Sequence, residues 1–334
     1  MAPAKKIDVH SHYVPEKYRQ TCIENGHAHP DGMPGYPTWS EESHLAMMDS
    51  LDIEKAYLSI TSPGTHLVQG NDELARVVTR QCNVEAANFK RRCPDRIGFF
   101  ASTPLPDVAG TLEEIKAIFD PNDLNADGVV VETNHHGTYL GDPEFDAVMA
   151  ALNENRSVVF IHPTTPCLRT GQAASPLVNI PRPMLEFFFE TARAAANLFI
   201  SGTVTKYPNI TYILSHCGGA LPPLIRRMCG ASPIVGLGDE MTYDKVNAQL
   251  NRQFYFDTAG WPFPEQLTGL LQHVSPQRIL YGTDFPWTPL GIVTGLSRDH
   301  DEWLPKVFSE KEDRDNVAFG NARRLLFSKE KNNL

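Results

Sequence analysis

Short apolar runs rich in β-branched residues recur along the chain and alternate with stretches of helical periodicity. The runs are of strand length and almost continuously hydrophobic, which is typical of parallel strands buried on both faces. The pattern predicts eight strands, over residues 7–12, 55–60, 97–101, 126–132, 157–162, 210–216, 254–258 and 278–284.

Helical stretches separate most of these strands. Asn71 has the side chain of an N-cap and opens a helix that Pro94 stops, whereas Pro143 suits the first turn of another helix. Regular alternation of strand and helix indicates a parallel sheet, and eight strands close most economically into a barrel. We therefore expect an α/β fold, a distorted (β/α)8 TIM barrel forming a single domain over residues 1–334.

Three irregular stretches, residues 13–40, 163–181 and 217–246, are rich in proline or glycine, and each follows a predicted strand. Loops of this length in a compact domain usually carry function. Because they follow strands, all three should emerge at the C-terminal face of the barrel, where active sites of this fold lie. The sequence thus predicts one catalytic mouth.

Composition narrows the function classes. A hydrophobic content of 41% and a charged content of 21% are typical of a soluble globular protein. The net charge of −10, without a basic run, argues against nucleic acid and anionic membranes as partners. No stretch is long enough to span a bilayer, no apolar signal segment precedes the first strand, and the six scattered cysteines suggest free thiols. We expect a cytoplasmic enzyme.

Polar residues of the kind that bind metals stand at the ends of four predicted strands. His10 and His12 alternate along one strand, so their side chains should share a face, about 7 Å apart along the backbone. His162, His216 and Asp284 end three other apolar runs. Any one of them could be a hydrogen-bonded core residue, but five at one edge of the sheet favour a single site.

Imidazole and carboxylate ligands with an open position suit a catalytic zinc or another borderline divalent ion. The fourth strand ends in Glu132-Thr133, with no lysine to bridge a second ion. The expected site is therefore mononuclear.

The order of these residues resembles the amidohydrolase superfamily, whose pattern is His-x-His on strand one, His on strands five and six, and Asp on strand eight. Residues 8–15 (DVHSHYVP), 215–222 (SHCGGALP) and 281–287 (YGTDFPW) resemble its decarboxylase branch. That branch includes aminocarboxymuconate-semialdehyde, γ-resorcylate and 6-methylsalicylate decarboxylases. His10 stands where γ-resorcylate decarboxylases tend to have Glu, and the tract 187–219 looks most like the 6-methylsalicylate enzymes.

The resemblance implies that His10, His12, His162 and Asp284 bind the ion, while His216 serves acid–base chemistry. It implies a metal-dependent decarboxylation of an ortho-hydroxybenzoate, with 6-methylsalicylate giving 3-methylphenol and CO₂ as the leading candidate. The proton donor is either Asp284 or His216. Zinc is the expected ion, manganese would fit the same ligands, and no organic cofactor is required.

Substrate-binding candidates are less well defined. Arg227 lies eleven residues after His216, where the muconate-semialdehyde enzyme has a carboxylate-binding arginine that can reach a neighbouring subunit. This analogy alone suggests a homodimer or a larger homo-oligomer, and a solvated arginine is the common alternative. Tyr13, Phe285 and Trp287 follow presumed ligands closely in sequence and are therefore placed at the mouth.

Two other functions remain open. Fold geometry alone does not separate a decarboxylase from a hydrolase that opens a lactone or an amide with metal-bound hydroxide. Another carboxylate, such as γ-resorcylate or aminocarboxymuconate semialdehyde, could also be the substrate of a decarboxylase. A binding protein without turnover has no support, because none of the ligand positions has been lost.

Overall fold

Eight parallel strands form one sheet in chain order. The computed structural model describes residues 5–167 and 180–327. The strands are β1 (Lys6–His12), β2 (Ile53–Ser59), β3 (Ile97–Ser102), β4 (Gly128–Glu132), β5 (Val158–His162), β6 (Thr211–Leu214), β7 (Phe254–Asp257) and β8 (Ile279–Leu280). The sheet closes between β8 and β1, where the Val9 N–H donates to the carbonyl of Tyr281 at 3.0 Å. The predicted α/β TIM barrel is confirmed.

Helices connect the strands and cover the barrel. They are α1 (Glu16–Glu24), α2 (Glu41–Ser50), α3 (Asp72–Arg92), α4 (Val108–Ile118), α5 (Asp146–Glu154), α6 (Glu186–Ile200), α7 (Thr203–Lys206), α8 (Ile225–Ala231), α9 (Tyr243–Gln253), α10 (Glu265–Leu270), α11 (Leu290–Val307) and α12 (Lys311–Asp315). The Asn71 side chain caps α3 by accepting the Leu74 N–H, as predicted. Within the described ranges, no helix is both long and apolar enough to cross a membrane.

Two hydrophobic clusters account for the near-continuous apolar runs. One cluster lies inside the barrel and includes Ile7, Val9, Phe100 and Phe160. The alternate strand residues join a larger cluster with the helices outside, which includes Phe99. Because each strand has an inner and an outer apolar partner, both of its faces are hydrophobic.

A bulge in β1 aims the two histidines of the first strand. Asp8 pairs with Ala56 and Ser11 with Leu58, so β1 carries one more residue than β2 over this step. Simple alternation from the inward Val9 would turn His10 outward, whereas the bulge restores an inward direction. The His10 ring accordingly lies 4.9 Å from the ring of Phe160 inside the barrel.

Two strands end earlier than the sequence suggests. β6 ends at Leu214 and β8 at Leu280, whereas the predictions extended to His216 and Asp284. Both of these residues have positive φ, 54° for His216 and 61° for Asp284, which is incompatible with a strand. They lie in the turns that follow the strands.

The predicted long loops are partly helical. Residues 13–40 contain α1, and residues 217–246 contain α8 and the start of α9. The density of glycine and proline in the latter stretch hides these short helices from a periodicity argument. Of the stretch 163–181, residues 168–179 lie outside the described chain.

Candidate metal centre

Four of the side chains predicted at strand ends converge at the C-terminal face of the barrel. The ligand atoms of His10, His12, His162 and Asp284 all lie within 4.8 Å of one another. His12 Nε2 is 3.1 Å from His10 Nε2 and 3.1 Å from Asp284 Oδ1. Two nitrogens bound to one tetrahedral zinc are separated by roughly 3.3 Å, so the observed spacing fits a shared ion.

The second ring nitrogen of each histidine has an acceptor that fixes its tautomer. His10 Nδ1 donates to Asp257 Oδ2 at 2.9 Å, and His162 Nδ1 donates to the Pro163 carbonyl at 2.8 Å. His12 Nδ1 donates to the carbonyl and hydroxyl oxygens of Ser59. With the proton on Nδ1, each Nε2 presents a lone pair to the ion, which is the usual arrangement around a bound metal.

The position of Asp284 is set by the turn after β8. Its N–H donates to the carbonyl of His10 at 2.7 Å, and the Thr288 hydroxyl donates to its Oδ2 at 3.2 Å. Burial would raise the pKa of Asp284, but the nearby imidazoles of His10, His12 and His216 outweigh burial and hold it well below the usual range. Asp284 is therefore an ionised candidate ligand.

The electrostatic field at His10 also favours a cation. Burial lowers the pKa of His10, but Asp257 and Asp284 outweigh burial and raise it to about 10. Burial is the dominant effect at His12 and His162, whose pKa values are lowered, so these imidazoles are neutral. Neutral nitrogen ligands beside two ionised carboxylates suit a divalent cation, which would take the place of the proton at His10 Nε2.

His216 stands beside the ligand group rather than within it. Its Nε2 is 3.8 Å from Asp284 Oδ2, and its ring packs against Phe188 with 5.5 Å between centroids. The buried Nδ1 has no hydrogen-bond partner in the described part of the chain. This position leaves the imidazole free to exchange a proton with a bound molecule.

A cavity of about 510 Å³, called the central cavity here, is bordered by two of the four candidate ligands, His162 and Asp284. Most of its wall is apolar. It is lined by Asp31, Met33, Thr61, Ser62, His162, Pro183, Met184, Phe187, Phe188, His216, Gly260, Trp261, Asp284, Trp287, Thr288, Pro289 and Ile292. The volume and the aromatic wall suit a small aromatic ligand.

Only one of the four predicted substrate-binding residues lines the central cavity. Trp287 does so, and its buried Nε1–H has no partner in the described chain. Tyr13 instead points into the core, where its hydroxyl donates to the Cys82 carbonyl, and Phe285 packs on His44. Arg227 is exposed on α8, away from the cavity of its own chain. The prediction from nearness in sequence is thus wrong for Tyr13 and Phe285.

The structure adds residues that the sequence analysis did not single out. Asp257, at the end of β7, is fully buried and contacts His10. It follows the apolar run Phe254-Tyr-Phe, the same signal that identified His162 and His216. On α6, Phe187 and Phe188 line the cavity.

A side cavity of about 330 Å³ adjoins the central cavity and shares Asp31 and Ser62 with it. Glu132, at the end of β4, borders this side cavity, and burial raises the pKa of its carboxyl well above the usual range. Among the residues that the structure describes, no second group of three or more metal-type ligands converges. The geometry therefore matches a single ion.

The chain is similar to known proteins along nearly its whole length. A family model described as Amidohydrolase matches residues 7–327. The 6-methylsalicylic acid decarboxylase of Penicillium expansum is 36% identical over 293 residues, covering 85% of this chain and 86% of that protein.

Solved structures are similar in fold. The crystal structure of an amidohydrolase II has a TM-score of 0.87 at 28% identity, covering 97% of this chain and 100% of that chain. A dihydroxybenzoic acid decarboxylase from Polaromonas, with bound manganese and the inhibitor 2-nitroresorcinol, has a TM-score of 0.80 at 20% identity and covers 98% of both chains.

Proposed function

Because the chain belongs to the amidohydrolase family, we propose that it is a carboxy-lyase that performs metal-dependent, non-oxidative decarboxylation of an ortho-hydroxybenzoate. The leading substrate is 6-methylsalicylate, with 3-methylphenol and CO₂ as products. The activity for which the relative from Penicillium expansum is named supports this choice.

One observation carries the proposal: two of the four converging candidate ligands, His162 and Asp284, border a cavity whose walls are largely aromatic and aliphatic. A salicylate-like acid has a polar edge, made by its carboxylate and ortho-hydroxyl groups, and an otherwise apolar ring. The polar edge would face the ligand group, while the ring would contact Phe187, Phe188 and Trp287.

The residues present fit a bound divalent ion, held by His10, His12, His162 and Asp284. When bound, that ion supplies positive charge that neutralises the carboxylate and ortho-hydroxyl oxygens of the substrate. The apolar wall excludes water and fixes the plane of the ring relative to the two candidate proton donors.

Decarboxylation requires a proton on the ring carbon that bears the carboxylate. His216 and Asp284 both line the central cavity, with His216 Nε2 3.8 Å from Asp284 Oδ2, and they are the two candidate donors; Asp284, which is ionised, would first have to take up a proton. After protonation, the bond to the carboxylate breaks, its electron pair restores the aromatic ring, and CO₂ leaves. The overall reaction consumes one proton and needs no oxidant or organic cofactor.

The test is an assay of metal-replete protein against 6-methylsalicylate, salicylate and dihydroxybenzoates under nitrogen. We expect equal amounts of CO₂ and the decarboxylated phenol. Absence of CO₂ from every member of this panel would contradict the proposal. Incorporation of ¹⁸O from labelled water into an acid product would instead indicate a hydrolase of the same family.

The identity of the ion, the oligomeric state and the cellular location belong to the same proposal. Zinc is the default for three imidazoles and one carboxylate, while manganese, present in the Polaromonas structure, accommodates the same ligands. Metal analysis of the purified protein decides between them. A homodimer or larger assembly, with Arg227 addressing a neighbouring subunit, and a cytoplasmic location stay predictions that light scattering and cell fractionation test.

A further inference from the structure

Asp257 contacts both the candidate ligand His10 and the candidate acid–base residue His216. We infer that Asp257 is a positioning residue that fixes the tautomer of the ligand His10 and the backbone of the acid–base residue His216. The part that concerns His10 depends only on ion binding, whereas the part that concerns His216 rests on the proposed function.

Among the residues that the structure describes, the carboxylate of Asp257 has three hydrogen-bond partners, all of which are N–H donors. Oδ2 accepts the Nδ1–H of His10 at 2.9 Å. Oδ1 accepts the backbone N–H of His216 at 3.0 Å and that of Ala259 at 3.0 Å. The side chain is fully buried, so water cannot replace any of these contacts without a rearrangement.

These three donors explain why the residue must be an acceptor at both oxygens. In an Asp257→Asn variant, one oxygen becomes an NH₂ group that has to face a donor, whichever way the amide is turned. If the NH₂ faces His10, the imidazole escapes the clash by moving its proton from Nδ1 to Nε2. A protonated Nε2 has no lone pair for a cation, so the ion loses one ligand.

The other amide orientation disturbs His216. This residue has a φ of 54°, and the left-handed region costs a non-glycine residue free energy that the surrounding structure has to offset. The hydrogen bond from its N–H to an ionised carboxylate holds the turn in place. Without that bond, the turn relaxes and the imidazole leaves its position beside Asp284.

Asp8 provides a matched control. It is also fully buried next to His10, and its Oδ1 accepts the backbone N–H groups of His10 and Thr283. Its Oδ2, however, accepts the hydroxyl of Thr283 at 2.6 Å. A hydroxyl can turn and accept instead, so Asp8→Asn keeps its contact with Thr283 and leaves the His10 ring unaffected.

The experiment compares ion retention by the zinc-loaded wild type, Asp257→Asn and Asp8→Asn proteins against a graded series of chelators. We expect Asp257→Asn to bind zinc about 10- to 100-fold more weakly than the wild type, and Asp8→Asn to resemble the wild type. Equal affinities of Asp257→Asn and wild type would overturn the inference. This readout needs no substrate, so it stands even if the proposed decarboxylation fails.

A second measurement uses the unsubstituted protein, in case Asp257→Asn does not fold. With ¹¹³Cd in the site and ¹⁵N-labelled histidine, we expect three metal–nitrogen couplings, all through Nε2, and a proton on each Nδ1. Fewer than three Nε2 couplings would contradict the tautomers.

In the folded Asp257→Asn protein saturated with zinc, kcat should also fall while KM changes less, because His216 has moved. An unchanged kcat would refute the link to His216.

Discussion

His216 is the residue whose surroundings point most directly to proton transfer. Its imidazole faces the central cavity, contacts Asp284 and lies outside the ligand group. Replacing it by asparagine should lower kcat by about 10²- to 10⁴-fold, the usual contribution of a general acid. The bound ion should remain, which metal analysis of the same sample checks.

Two outcomes would contradict this role for His216. Loss of the ion together with activity would make His216 a ligand, and full activity would leave proton delivery to Asp284 alone. His29→Asn, which removes an exposed histidine that does not line the cavity, controls for nonspecific effects.

Trp287 lines the central cavity, and its buried indole N–H has no hydrogen-bond partner in the described part of the chain. A substrate oxygen that accepts this hydrogen would gain about 1 kcal/mol, so Trp287→Phe should raise KM roughly fivefold with little change in kcat. Trp261→Phe is the matched control, because the Trp261 ring also borders the cavity but is 65% exposed. Equal KM values for wild type and Trp287→Phe would refute the hydrogen bond.

At the scale of elements, the sequence predicted the alternation of strand and helix and the strands that carry or precede each predicted ligand. Apolar runs ending in histidine or aspartate were sufficient for this, because parallel strands place their carboxyl ends at one face. The bulge in β1 was not predictable, since period-two alternation from Val9 places His10 on the opposite face. Nearness along the chain also failed for Tyr13, because a residue after a strand end can turn into the core.

Helix α3 packs on the barrel with apolar side chains and also binds β3 through one buried amide. Asn83 accepts the Ser102 N–H at 2.8 Å and donates to the Ser102 carbonyl and to Glu114. Asn83→Ala leaves these groups unsatisfied in the interior and should lower the free energy of unfolding by about 2–4 kcal/mol. Urea denaturation measures the loss.

Asn88→Ala is the control for this prediction. Asn88 lies on the same helix but accepts a single surface contact from Arg91. Its replacement should cost less than about 0.5 kcal/mol. A similar loss for both variants would mean that the buried amide contributes nothing specific.

At the scale of the whole molecule, the barrel closes at a seam with little strand pairing. β8 is a two-residue strand, and one parallel bridge, between Asp8 and Tyr281, together with backbone hydrogen bonds from the turn after β8, joins it to β1. Three of the four candidate ligands lie across this seam, with His10 and His12 on the β1 side and Asp284 on the β8 side. A bound ion would therefore join the first and last strands of the barrel as well as serve the chemistry.

Removing the ion should consequently destabilise the protein, and most of all at this seam. An ion present at a thousandfold excess over its dissociation constant stabilises the folded state by about 4 kcal/mol, so chelation should lower the unfolding midpoint. Hydrogen exchange should speed up first at the seam amides of Val9 and Asp284, while β3 and β4, which hold no ligand, stay protected. Asp284→Asn should abolish the difference between loaded and chelated protein, whereas His216→Asn should keep it. Uniform loss of protection around the barrel would instead mean that the ion stabilises the fold globally and does not close the seam.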